Sequence, residues 1–254
     1  MPFRTFVCTL IGVTPAIAWC DQAPAPPPMG AWAGKGQLGF LDSQGNTVAE
    51  SANATLDMAL VEGPWKHALH LDGLYGKSAD VVSAERYNAQ WQTNYNFSGA
   101  LFVFGALSYE HDLFNGFDYQ ASGTAGIGYQ VFNSAVTKLS AQVGAGDRLE
   151  RPETLTELAD GDYDRALQDR QNAGVVTAGM DFAQVITKTT ALTNTASVES
   201  GGGNTTLKDT FGFTVKMSTK LALGLGYNLQ DNTNPPVGLK KVDSTETVNL
   251  VYAF

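Results

Sequence analysis

Thr245-Glu246-Thr247-Val248-Asn249-Leu250-Val251-Tyr252-Ala253-Phe254 closes the chain, and its pattern decides the fold. Taken at every second residue, Val248, Leu250, Tyr252 and Phe254 share one face. Thr245, Thr247, Asn249, Val251 and Ala253 share the other. Side chains of a strand alternate between its faces, so this stretch reads as a strand with one apolar, aromatic-ended side and one side of small and polar residues.

The same period recurs upstream, in segments of about ten residues bounded by turn residues. A first strand from Trp32 to Leu41 sets Trp32, Leu38 and Phe40 against Lys35 and Gln37. The next opposes Leu56 and Met58 to Thr55 and Asp57, and the third opposes Trp65, Leu69 and Leu71 to Lys66, His70 and Asp72. Between Val81 and Tyr95, Arg86, Asn88, Gln90, Gln92 and Asn94 make an unbroken polar face. Phe117 to Val131 alternates as cleanly, with Asp118 on the polar side. Leu101 to Tyr109 is apolar on both faces, and periodicity does not orient it. Strands follow over Thr137–Arg148, Gln168–Val185, Thr187–Val198, around Phe211 and Phe213, and from Leu221 to Leu229. Between them, residues 149–164 carry Glu150, Glu153, Glu157, Asp160, Asp162 and Asp164 and read as the longest non-strand segment. Gly201-Gly202-Gly203-Asn204 reads as a loop, as does the region of Pro235-Pro236.

The count is about twelve strands, an even number, which a closed antiparallel barrel requires of a chain whose ends meet on one side. The expected architecture is all-β: a closed transmembrane barrel over residues 32–254. Lipid offers no partner to a backbone N–H, so the first and last strands must pair. Trp32, Trp65, Trp91, Tyr95, Tyr129 and Tyr252 fall near one set of strand ends, and Tyr75, Tyr109 and Phe117 near the other, as two interfacial girdles would. Connections on the outer side are expected to be the longer ones. The competing architecture is a soluble two-sheet sandwich, whose strands also alternate.

Composition is compatible with this. The chain has 254 residues, 27 Gly and 9 Tyr, a net charge of −9 and mean hydropathy near zero. Its acidity argues against nucleic acid as a partner, because phosphate binding needs a basic surface. Arg4, the apolar run Phe6–Val13 and Ala16-Ile17-Ala18 match a secretory signal over residues 1–18, with a cut after residue 20 as the alternative. Trp19 stands where a lipoprotein signal needs a small residue before Cys20. Residues 19–31 form a Pro-rich linker. Both cysteines, Cys8 and Cys20, lie in or beside the leader, leaving the strand region without a disulfide or thiol metal site.

Many bacterial outer-membrane barrels end in a strand that finishes on Phe with Tyr two residues before it. Tyr252 and Phe254 therefore resemble the signal read by the barrel-assembly machinery. The segments Ser108-Tyr109-Glu110-His111-Asp112-Leu113-Phe114 and Gly123-Thr124-Ala125-Gly126-Ile127-Gly128-Tyr129, with Trp32-Ala33-Gly34, Gly45-Asn46 and the closing Tyr-x-Phe, resemble the salt-induced outer-membrane proteins, the YdiY-like family of undefined function. The resemblance implies Sec-type export to the outer membrane of a Gram-negative bacterium, contact with its lipid and lipopolysaccharide, and a link to salt or osmotic stress. It implies no cofactor and no catalytic residue.

Three sets of residues invite a functional reading. Lys35, Asp57, Lys66, His70, Asp72, Arg86 and Asp118 fall on the polar faces and would line the lumen, either as a selective pore or as a salt-bridged filling. Ser83, His111 and Glu85 would form a nucleophile, base and orienting acid of a lipid hydrolase if the turn after Tyr95 is centred on Phe97. The pairs Gly126/Gly128 and Gly224/Gly226 lie inside strands with no following helix, so they suit sheet packing rather than phosphate binding. The carboxylates of residues 149–164 lack calcium-loop spacing and read as a solvated surface loop. No His or Cys cluster supports a metal site.

Overall fold

A computed structural model describes residues 30–43, 49–78, 81–112, 115–157, 163–235 and 240–254. The leader, most of the linker, the Gly45-Asn46 turn, Leu113-Phe114, Asp160, Asp162 and Pro236 lie outside the described residues. The strands are β1 (Trp32–Ser43), β2 (Ala49–Glu62), β3 (Trp65–Ser78), β4 (Val81–Asn96), β5 (Leu101–Asp112), β6 (Phe117–Asn133), β7 (Thr137–Glu157), β8 (Tyr163–Leu167), β9 (Gln171–Val185), β10 (Thr190–Gly201), β11 (Asn204–Lys216), β12 (Leu221–Asn232) and β13 (Val242–Ala253). Each pairs antiparallel with the next, except that β8 pairs with β7 alone and β7 pairs onward with β9. β1 pairs with β13, closing a barrel of twelve strands with β8 as a short flap beyond the wall. The two-sheet sandwich is excluded by this closure.

The burial pattern is inverted relative to a soluble protein. Buried side chains include Ser51, Asn53, Thr55, Asp57, His70, Asp72, Asn88, Thr210, Thr247 and Asn249. Exposed ones include Leu71, Leu107, Ile127, Val143, Phe211, Leu223, Leu225, Val248 and Leu250. A polar interior with an apolar outer face is the arrangement that a spanning barrel needs. The inner-end girdle packs ring on ring: Trp32 on Trp91 at 6.0 Å, Trp65 on Tyr95 at 4.8 Å, and Tyr95 on Phe97 at 5.1 Å. At the outer ends Tyr109 stacks on Tyr119 at 6.2 Å.

β5, which the sequence leaves unoriented, turns Phe102 and Phe104 inward. Their rings occupy the space that side chains at Gly128 and Gly126 would fill, which is the use of that glycine pair. Two expectations fail. The acidic stretch is not a loop: β7 runs on to Glu157 and folds back through β8. Its charges are held against the sheet rather than solvated: Glu150 and Glu153 are buried, and Glu150 reaches Arg148 at 2.9 Å. Gly201–Asn204 is a two-residue turn, with Gly202 and Gly203 at φ +62° and +81°. Positive φ at both central residues matches the right-handed twist of the flanking strands, so the hairpin needs no longer connection.

The seam between β1 and β13 is zipped only in its inner half. Gly34 and Phe254 exchange both main-chain hydrogen bonds at 3.0 Å, and the register runs from Lys35↔Ala253 to Leu38↔Leu250. Among the described residues it continues no further, although β1 stays paired to β2 as far as Ser43. Outward side chains at and beyond the end of the zipped part are widely solvent-open, with Phe40 76%, Leu38 69% and Val248 62% exposed. Beneath Gly39, Asn53 donates to Asn249 at 3.2 Å, clasping β2 to β13 under the bare glycine.

Candidate functional site: the charged lumen

Five of the seven residues read as lumen-lining meet in one chain across four neighbouring strands. Lys35 Nζ lies 3.6 Å from Asp57 Oδ2. Asp57 Oδ1 lies 3.0 Å from His70 Nδ1, and His70 Nε2 lies 3.0 Å from Asp72 Oδ1. Asp72 Oδ2 is 3.8 Å from Arg86 Nε. The period of two puts all five inside, and the antiparallel register does the rest: Lys35 stands opposite Asp57, and Asp57 opposite His70. Asp57, His70 and Asp72 are almost wholly buried. Both ring nitrogens of His70 face a carboxylate oxygen, so the imidazole is held in one orientation and neither nitrogen is open to a ligand. The outer ion pairs at each end are too long for hydrogen bonds.

Lys66 and Asp118 stand apart from that chain. Asp118 pairs with Arg151 at 3.7 Å near the outer rim. Lys66 faces an inner cavity of about 330 Å³ with Lys138, Asp181 and the carboxamides of Gln90, Gln92 and Asn94. A second cavity of about 230 Å³ lies beyond it, lined by Glu110, Gln120, Arg148, Glu199 and Lys208. Gln92 and Gln142 border both, and Gln92 donates to Gln142 at 3.2 Å between them.

The outer cavity holds contacts the sequence reading did not anticipate. Arg148 engages Glu150 at 2.9 Å and Glu199 at 3.0 Å, and Gln120 donates to Glu150 at 3.0 Å. Lys208 of β11 reaches Glu110 of β5 at 2.5 Å, from nearly the opposite wall. Asn115 also donates to Glu110 at 3.3 Å. This pair bridges the lumen rather than lining it. Glu110 lies just past the stretch that showed no period, and Glu150 in the stretch read as a loop.

The hydrolase constellation is not assembled. His111 stands opposite Tyr87, four residues from Ser83, and stacks on that ring at 6.2 Å. The hairpin is therefore not centred on Phe97. Ser83 is the extra residue of a bulge, since Gly76 pairs with Ala84 and Lys77 with Val82. Glu85 lies opposite Tyr75. The terminal residues point outward: Tyr252 lies under the Lys220 ammonium at 5.8 Å, and Phe254 holds Gly34 through its backbone.

The uncharacterised protein YdiY of Escherichia coli K12 is 26% identical over 217 residues, covering 85% of this chain and 81% of that one. Among solved structures, the NanC porin aligns over 87% of this chain and 98% of its own, at 9% identity and a TM-score of 0.49. The COG4313 outer-membrane channel from Pseudomonas putida F1 aligns over 89% and 96%, at 11% identity and a TM-score of 0.48. With its family profile matching residues 36–254, the chain belongs to the family described as "Protein of unknown function, DUF481".

Proposed function

We propose that this protein is an outer-membrane channel of narrow bore that passes small polar solutes. The observation that carries the reading is how the lumen is divided. Two cavities are contiguous, and among the described residues what separates and crosses them is side chain, Gln92 with Gln142 and Lys208 with Glu110. Side chains change rotamer on fast timescales, whereas a backbone plug would not. The apolar outer wall and aromatic girdles support a bilayer location, with lipid and lipopolysaccharide as its surroundings. The leader supports Sec-type export, and the terminal Tyr252 and Phe254 support delivery by the assembly machinery. Passage rather than catalysis is proposed because the register separates Ser83 from His111.

A second reading is a closed structural barrel serving salt or osmotic stress, as the family resemblance implies. The Lys208–Glu110 bridge favours it, because the pair closes the lumen as it stands. Liposome swelling separates the two. Proteoliposomes of the purified barrel should swell in glycerol and in a pentose faster than protein-free liposomes, and more slowly in a disaccharide. Swelling no faster than that of empty liposomes would refute passage.

A further inference from the structure

The charges of the lumen are not evenly matched. In the outer cavity each cation has a carboxylate within 4.0 Å: Arg148 has Glu150 and Glu199, and Lys208 has Glu110. Lys35 and Arg86 are likewise paired with Asp57 and Asp72. The inner cavity differs. Lys66 and Lys138, each the second residue of its strand, enter it from β3 and β7, on different sectors of the wall. The charges acting on Lys66 are the Asp181 carboxylate and the Lys138 ammonium. Asp181 is engaged by the Thr195 hydroxyl at 3.0 Å. Among the described residues, two lysines and one aspartate thus line a cavity of about 330 Å³.

Carboxamides stand on the same wall, among them Gln90, Gln92, Asn94, Gln130 and Gln142, beside the His70 ring and an apolar sector of Phe102, Leu139, Met180 and Phe182. Carboxamides offer both donors and acceptors and suit a solute with several hydroxyl groups. An ammonium is a compact charge with three donors and suits a carboxylate. The volume lies at the small end of the range for ligand pockets, so the occupant is no larger than a single sugar-sized unit.

We infer that the inner cavity is a binding site for a small hydroxylated carboxylate, held by Lys66 and Lys138 and oriented by the surrounding carboxamides. The inference rests on the passage reading for its biological sense, since a weak site near the inner mouth would retain one class of solute and pass it on. Its physical content is separate, because binding at equilibrium requires no current.

The test is calorimetric titration of the full-length barrel in detergent micelles with sodium gluconate, sodium chloride being used to hold ionic strength constant. Glucose is the uncharged control. Gluconate should bind, and Lys66→Gln and Lys138→Gln should each weaken it about tenfold, the value of one lost charge-assisted contact of roughly 1.4 kcal/mol. Lys66→Arg and Lys138→Arg keep the charge and should retain most of the affinity, which separates loss of a ligand from loss of the fold. No gluconate heat above the Lys66→Gln/Lys138→Gln background, or glucose binding as tightly as gluconate, overturns the site. A barrel that swells with glycerol yet binds no gluconate loses only the site. One that binds gluconate and never swells loses only the passage.

Discussion

The clasp at the seam offers a sharp test of how the barrel is closed. Asn53 and Asn249 are both buried, and the bond between them at 3.2 Å ties β13 to β2 beneath Gly39, where the β1–β13 register has stopped. Asn249→Ala removes the acceptor and leaves the Asn53 amide buried without it. One lost hydrogen bond plus one orphaned buried donor amounts to about 2–4 kcal/mol. The double variant Asn53→Ala/Asn249→Ala leaves no orphan, so its cost should fall short of the sum of the single costs by about 1 kcal/mol or more. Guanidinium titration of the folded barrel in lipid vesicles, followed by Trp fluorescence, measures the cycle. Hydrogen exchange supplies the local readout: seam amides at the open end of the β1–β13 pairing, up to Leu38, should exchange faster in Asn249→Ala, while the Gly34–Phe254 pair stays protected. Gly39→Val should mimic the effect, since a side chain there would run into both carboxamides. Additive single and double costs, together with unchanged exchange of the seam amides up to Leu38, would refute the clasp.

Two further outcomes follow from the same geometry. His70→Ala leaves Asp57 and Asp72 facing each other across a buried gap and should destabilise the barrel by about 3–5 kcal/mol, as breaking a buried ion pair does. Adding Asp57→Asn and Asp72→Asn should recover most of that loss in the same guanidinium titration, and no recovery would mean that His70 acts by packing alone. Deleting Phe254 removes the two lowest main-chain bonds of the seam, worth about 1 kcal/mol each. Its effect on the amount of barrel reaching the outer membrane should exceed anything that modest change in stability explains, as measured by quantitative blotting of membrane fractions against refolding yield in vitro. Normal membrane levels would contradict a role for the terminus in assembly.

Much of the wall was legible because alternation is a property of each strand taken alone. Val248, Leu250 and Tyr252 outward, Thr247 and Asn249 inward, and the inward row from Arg86 to Asn94 all follow from a period of two. What alternation does not contain is register. The Asp57–His70 contact depends on the turn at Gly63-Pro64, and a turn centred two residues later, on Gly99 rather than Phe97, is enough to part Ser83 from His111. Contacts across the lumen are further still from the sequence, because Lys208 meets Glu110 only once the sheet has curled and closed. The acidic stretch misled for a different reason. Charge density resembles solvation, whereas here Glu150 and Glu153 are buried strand residues. β5 gave no orientation because Phe102 and Phe104 face inward against glycines of the neighbouring strand, a pairing visible only in three dimensions.

The central claim is that side chains alone close a continuous polar lumen, and single-channel recording in planar bilayers tests it most directly. Wild-type barrel in potassium chloride should show small, resolvable conductance steps. Glu110→Gln/Lys208→Gln, which removes the charges of the bridge across the outer cavity while keeping side chains of similar size, should show larger or longer-lived openings. Silent membranes from both proteins, with insertion verified by protease protection, would contradict the account.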